Sequence, residues 1–330
     1  MVYQDAIMRK ASASGGDTSK ENYRFPGDFI LERLELIDKE GVPTDISALS
    51  LEVNILQDLF LPFMQIEIAV NDSAGFVNAV SNGLSGGEII YVSFKTADPD
   101  FVMNKMLFAV NGVKERVRNT TGNETYVIEG YSLEHFNTID KKISKAFGSG
   151  SGKKINEIIQ IIFDEHIMTP ELKSVYNLYK NEGREVSKTG IQALTTTTGL
   201  HKCVIPMYNP IEAIRYLCDE GVDDDTASKL LFYETFLGFQ FRSLGKLIKE
   251  EPKGEEFLYH PSSYNTDVYK DGMNAYFIKS VDRVKESDLT EQMTDGLFSA
   301  TTIEIDPLRK DFNKTVYKYQ DEVETFSKLN

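Results

Sequence analysis

From Phe25 to about Tyr131 apolar and polar positions alternate with a period of two, the signature of strands with one buried face. In LEVNI (51–55) the apolar set is Leu51, Val53 and Ile55, with Glu52 and Asn54 opposite. QIEIAV (65–70) aligns Ile66, Ile68 and Val70, and IIYVSFKT (89–96) aligns Ile90, Val92 and Phe94. MLFAVNGVKERVRN and ETYVIEGY continue the series. Polar turns separate the runs at Asn71-Asp72-Ser73, Ser85-Gly86-Gly87, Asp98-Pro99-Asp100 and Asn119 to Asn123. Strands so spaced predict an antiparallel barrel or sandwich. The stretch from Asp72 to Val80 leaves room for a short helix across one end.

The period then changes. In KKINEIIQIIFDEHI the apolar positions Ile155, Ile158, Ile159, Ile162 and Phe163 form the stripe of a helix with one buried face. Residues 173–200 are polar, and TTTT (195–198) fits a strand or a loop. A second helix starts at NPIE, where Asn209 suits the N-cap, Pro210 the first helical position and Glu212 a capping box. Ile211, Ile214 and Leu217 are expected to face the core, and Gly221 to end the helix. An acidic loop, VDDDTAS, precedes two expected strands, KLLFYET and FQFRSLGKLI, around a turn at Phe236-Leu237-Gly238. Further strands are expected in NAYFIKSVDRV, SATTIEID and NKTVYKYQDEVETF.

The chain is therefore mainly β with α insertions, an α+β protein. Residues 1–24, rich in Ser, Gly and Lys, are expected to form an extended or disordered arm, ordered only against a neighbour. A first β-barrel domain is expected over 25–147, a linker and helical insertion over 148–200, and a second α+β domain over 201–330.

Charge narrows the function. The 330 residues carry a net charge of −15, so nucleic acid is not expected as a tightly held ligand, because phosphate binding needs a basic footprint. An acidic wall still suits a passage through which nucleic acid slides. Cys203 and Cys218 are too far apart for a CxxC motif. Reduced thiols are the favoured expectation for them, with a disulfide between them left open. No apolar run is long enough to span a membrane, so no stable membrane insertion is expected.

The stretch GSGSGKK (148–154) before the first helix invites comparison with a phosphate-binding loop. The pattern G-x-x-x-x-G-K-[ST] fails twice, with Phe147 where the first glycine belongs and Lys154 where the hydroxyl belongs. A glycine-serine linker into an amphipathic helix is the expectation. A nucleotide-dependent or hydrolytic enzyme using the Gly148–Lys153 loop is the rival from another class.

His135, His166, His201 and His260 share no metal-ligand spacing, and His201-Lys202-Cys203 lacks the second pair that a zinc site needs. Asp223-Asp224-Asp225 lacks the register of a calcium loop, so a solvated acidic loop is expected there, and likewise at Asp267 and Asp271-Gly272. No catalytic residue, cofactor or metal is expected.

Three segments carry a family resemblance. The first is LSLEVNILQDLFLPFMQIEIAVNDSAGFVNAV followed by LSGGEIIYVSFKT, with its Asp58-Leu59 step, Phe/Pro turn and Gly-Gly-Glu. The second is YSLEHFNTIDKKISKAFGSGSGKKINEIIQIIF. The third is VIPMYNPIEAIRYLCDEG with KLLFYETFLGFQFRSL. In this order they resemble the baseplate hub proteins of contractile-tailed bacteriophages, which are related to the base of type VI secretion spike proteins. The resemblance covers roughly residues 28 to 245; its weight lies in the order of the segments rather than in any one motif.

The resemblance implies a structural, non-enzymatic protein with two tail-tube-like antiparallel β-barrel domains and a helical insertion. It implies a homotrimer that joins a six-fold tail tube to a three-fold central spike. It also implies wedge proteins around it, DNA passing through its channel without specific binding, and a place in the virion baseplate, assembled in the host cytoplasm. A hub of a type VI secretion system or a phage-like injection particle is the same machinery in another setting. In the family more strands usually follow a segment such as TIEIDPLRKDFNKTVYKYQDEVETF. The second barrel is thus expected to be short, completed by another chain, or truncated here.

Overall fold

The computed structural model describes residues 29–73, 75, 84–96, 104–118, 123–186, 190–226, 228–251, 258–259, 277–278, 280–282 and 288–322. The chain divides into two compact units, Met1–Leu244 and Gly245–Asn330.

The first unit is built on seven antiparallel strands. They are β1 (Phe29–Ile37), β2 (Pro43–Asp45), β3 (Ser50–Leu56), β4 (Gln65–Asp72), β5 (Ile89–Thr96), β6 (Asn104–Arg118) and β7 (Glu124–Ser132), in the spatial order β2-β1-β5-β6-β7-β4-β3. The sheet curls into a half-barrel. Four breaks in register lie along it, between Leu31 and Arg33, Ser50 and Glu52, Val110 and Gly112, and Lys114 and Val117. Each is an extra residue or two in one strand, and such bulges raise twist and bend the sheet. At the last of them Glu115 takes a left-handed φ of 51°.

Period-two alternation then sorts the side chains. Leu34, Leu36, Ile66, Ile68, Val70, Ile90, Val92, Met106, Phe108, Val110, Tyr126 and Ile128 fill one face and form one core. Phe94 packs against that core, as the alternation of IIYVSFKT predicts. Ile37, Tyr91, Leu107 and Ala109 point the other way, into a second core. Strand β6 is thus covered on both faces in its first half, which is why MLFAV reads as a continuous apolar run. At the edge the expectation for β3 fails at one residue. Leu51 is the bulged residue, unpaired and exposed, while Val53 and Ile55 keep their inward positions.

The second core is closed by helices and small sheets. Helix α1 (Leu133–Ile139) continues from β7, and β8 (Ile143–Phe147) follows it. Helix α2 (Ile155–Ile162) runs into a π-helical turn at Phe163–Ile167, and Ile155, Ile158, Ile159, Ile162 and Phe163 are all buried, as their spacing predicts. Next come α3 (Pro170–Asn181), β9 (Ile191–Leu194), β10 (Cys203–Tyr208), α4 (Pro210–Glu220), β11 (Leu230–Thr235) and β12 (Gly238–Ser243). The capping box at Asn209 is complete: its side chain accepts from Glu212 N and Glu212 accepts from Asn209 N, each at 2.8 Å. Strands β11 and β12 form a hairpin turning at Phe236-Leu237, with β9 parallel to β12 on its far side, and β10 pairs with β8.

Of the two alternatives for Thr195–Thr198 the loop is found: Thr197 makes an isolated bridge to Asp223, and its hydroxyl accepts from the backbone N of Asn156 at 3.2 Å. Other expectations change. The strand expected from FQFRSLGKLI stops at Ser243, and Leu244–Lys249 form helix α5. The acidic loop is not all solvated, because Asp223 is buried and accepts from Thr226 N at 2.7 Å. The helix expected between Asp72 and Val80 lies mostly outside the described residues, and Asp72 itself ends β4.

In the second unit β13 (Leu258–Tyr259) pairs in parallel with β14 (Phe277–Ile278). Helix α6 (Leu289–Thr294) is capped by Asp288. Strands β15 (Ser299–Asp306) and β16 (Asp311–Lys318) make a hairpin, followed by the single turn α7 (Tyr319–Glu322). Among the described residues, Gly245 alone in this unit is buried.

Candidate assembly surfaces

The half-barrel and its helical cover are joined at a buried carboxylate. Glu234, on β11, accepts from Met64 N at 2.8 Å and from Ser132 Oγ at 2.5 Å, and all three residues are out of contact with water. Ser132 N in turn donates to Met64 O at 3.1 Å. A carboxylate is kept in a dry site only when donors replace its water. Aromatic rings pack beside this junction. Phe239 stacks on Phe232 at 5.6 Å and meets Phe163 and Phe63 edge-on at 5.1 and 6.1 Å. Glu134 is also buried, and Tyr176 donates to it at 2.9 Å. Burial, reinforced by the Glu134 charge, pushes the Tyr176 phenol well above its ordinary pKa.

A second fastening joins the helical cover to β1. Arg184, buried after the end of α3, bonds Glu35 of β1 and Glu182, each at 2.7 Å. Arg33 reaches Gly183 O at 3.1 Å. On β6 and β7, Glu129 gathers Lys114, Asn111 at 3.0 Å and Gln65 at 3.0 Å.

The motifs of the first segment resolve into turns. The Asp58 carboxylate accepts from Phe60 N at 2.7 Å. The Gly-Gly-Glu element places Gly86 and Gly87 at φ near 90°, so that buried Glu88 can collect Ser85 N, Ser85 Oγ and Gly86 N.

GSGSGKK is a pinned loop rather than a free linker. Gly148, Gly150 and Gly152 all have left-handed φ. Lys153 and His201 exchange backbone hydrogen bonds of 3.0 and 2.8 Å. A Cβ on Gly148 would lie 2.3 Å from His201 O. The Lys153 N–H that a phosphate cradle would use is therefore bonded within the protein.

The remaining candidates stay apart. His135 sits among the rings of Tyr131, Phe63 and Phe136, and burial lowers its pKa. His166 is lowered chiefly by burial too. Cys203 and Cys218 are both free thiols, and burial pushes Cys218 up to about 12. His260, Asp267, Asp271 and Gly272 lie outside the described residues. Among the described residues no group of three or more His, Cys, Asp or Glu is placed to hold a metal, and no helix is long and apolar enough to cross a membrane.

What the surface does offer is apolar side chains and strand edges that, among the described residues, pair with nothing. Strand β2 ends the seven-stranded sheet with three residues beginning at Pro43; β3 ends it on the other side with seven. Beyond β3, Leu56, Leu59, Phe60 and Leu61 are exposed. A cleft of about 260 Å³ lies where Leu59, Phe60 and Pro62 face α4 and β11, with Arg215, Asp219 and Lys229 among its lining. These features were not legible in sequence, because an edge is defined by what fails to pair with it.

No family model matches the chain. No curated protein matches it either. Among solved structures it is similar to the tail protein from Neisseria meningitidis MC58, at 12% identity and a TM-score of 0.45, covering 87% of this chain and 67% of that one. The 43 kDa tail protein of prophage MuSo2 from Shewanella oneidensis gives 12% identity and a TM-score of 0.38, covering 64% of this chain and 54% of that one. The Francisella PdpA-VgrG complex gives 10% identity and 0.34, covering 71% of this chain and 32% of that one. The chain thus spans about two thirds, half and one third of these structures. With TM-scores below one half, the likenesses assign it neither family nor partner.

Proposed function

We propose that this chain is the structural hub of a contractile phage tail baseplate. In this reading it is a homotrimeric adapter between the six-fold tail tube and the three-fold central spike, with wedge proteins around it and DNA passing through its channel. The observation that carries the reading is the meeting at Glu234. The three segments on which the hub resemblance rests contribute one residue each: Met64 from the first, Ser132 from the second and Glu234 from the third. Segments that resemble one family in order thus belong to one packed unit. The half-barrel supports it as well, since an open curled sheet with a free seven-residue edge can continue across a subunit boundary. The chain acts without catalysis, and its net charge of −15 keeps DNA from sticking to the channel wall. The second tube-like module is completed by strands from neighbouring chains.

The test is the native mass of the purified chain together with electron-microscopic class averages. Rings of three times the 37.3 kDa chain mass with an axial channel are expected. Compact particles without a channel, whatever their mass, would overturn the adapter.

A further inference from the structure

The hairpin of β15 and β16 is well made locally, and one of its faces is exposed. Eight residue pairs join it, from Ser299↔Lys318 to Asp306↔Asp311. At its turn the Asp306 carboxylate accepts from Leu308 N and Arg309 N at 2.9 and 3.1 Å. The register places Ile303, Ile305, Phe312 and Val316 on one face, with Lys314 opposite Ile303 and Lys318 at its end. Their exposures are 58, 73, 70 and 54%, and Leu308 at the tip is 93% exposed. A lone two-stranded hairpin is marginal in water and gains stability from further strands or a covering surface. Among the described residues neither of its edges pairs with a further strand, and its exposed face carries those apolar side chains.

Charge indicates what covers it. The hairpin carries Arg309, Lys310, Lys314 and Lys318 against Glu304, Asp306 and Asp311, a net charge of +1 on a chain of net −15. Another copy of the same chain is therefore an electrostatically favourable host. That copy offers a matching edge. Strand β3 has seven residues, without proline or lysine to block pairing, and exposes Leu51 and Leu56 beside Leu59, Phe60 and Leu61. The other edge, β2, is short and begins with proline. Natural sheets blunt their edges in that way, and β3 has only Glu52 and one bulge as such devices. Within the hairpin, β16 bears Lys314 and Lys318 against Asp311, whereas β15 bears only Glu304 and Asp306; β3 and the turn after it bear Glu52 and Asp58. The charges favour β16 over β15 as the strand that meets β3.

We propose that β16 of one copy pairs along the free edge of β3 in a neighbouring copy, laying its apolar face against the exposed leucines and Phe60 there. The contact is heterologous, since hairpin and edge are different surfaces, so it builds rings when its rotation closes. It names the contact behind the trimer and rests on that reading only for the number of copies.

Hydrogen exchange and sedimentation of the full chain over a wide concentration range test it. Amides at 50–56 and 311–318 are expected to gain protection together as oligomers form. Phe312→Asp, at an exposed position, is expected to raise the dissociation constant about tenfold or more and to remove both protections. Glu52→Lys is expected to weaken association, and Lys314→Glu added to it to restore part of the loss. A hairpin protected equally at all concentrations, or a chain that stays monomeric, overturns the proposal. An oligomer indifferent to Phe312→Asp also overturns it, while leaving a trimeric adapter built through other surfaces.

Discussion

Glu234 is one residue in a stretch, FYET, that a pattern reading assigns to an ordinary strand. Its neighbours in sequence give no sign that its carboxylate takes donors from residues 170 and 102 positions away. Carboxylates usually stay at the surface, so composition alone puts Glu234 there. What makes burial tolerable is a donor pair that only the fold supplies. Replacing it strands two buried donors, and each unpaired donor costs more than an average hydrogen bond returns. Glu234→Ala is expected to lower stability by roughly 3 kcal/mol. Urea unfolding is the measurement, with the midpoint falling at unchanged slope. A shift no larger than that of an exposed Glu→Ala control would mean that the three segments are not held together there. Asp223 gives the same lesson on a smaller scale: three aspartates in a row look solvated, yet one of them is buried and organises the turn.

At the scale of elements, the sequence is most readable where one periodicity serves one face. The isoleucine stripe of α2 and the alternation in β4 and β5 come through intact. Helix α3 is hard to read from the sequence although Thr169-Pro170 is the same cap-and-proline start as Asn209-Pro210, because Leu172 is its one buried residue and no stripe advertises it. The β3 pattern misleads at Leu51 because a bulge reverses the side-chain direction, and bulges leave little trace in composition. The glycine loop is the sharpest case. Its glycines are required by conformation and close approach, not by a ligand. Gly148 and Gly150 have nearly equal φ, 84° and 81°, but a Cβ at Gly150 meets nothing within 4 Å, whereas one at Gly148 meets a backbone oxygen. Gly150→Ala should therefore cost about 1 kcal/mol, the left-handed penalty alone. Gly148→Ala should cost about 3 kcal/mol, since the backbone of His201 must also move. Thermal or urea unfolding of the two variants side by side decides it. Equal losses would mean that the loop is not pinned to the Leu200–Lys202 segment.

For the molecule as a whole, mainly-β character with helical insertions is legible because strand and helix periods occupy different stretches. The second barrel is not legible in the same sense: it came from a resemblance, and the strands described after Gly245 pair only two at a time. The distribution of burial sharpens the difference between the two units. Both apolar cores draw all their buried residues from Leu34 to Phe241. The described residues beyond Gly245 contribute none, although they include Ile303, Ile305, Phe312 and Val316. Hydrophobic burial is the dominant favourable term in folding, so of the stability that the described residues supply most is expected in the first unit. A fragment of residues 25–250, which retains α5, is then expected to fold alone and to melt cooperatively within a few degrees of the full chain. A fragment of residues 251–330 is expected to give the circular dichroism of a largely unfolded chain, because β-propensity without a covered face does not overcome the entropy of ordering it. If the larger fragment failed to fold, residues outside the two cores would have to supply stability that their exposure denies them. If the smaller fragment folded by itself, the hairpin would need no neighbour, and its exposed isoleucines would lose their reading as an assembly surface.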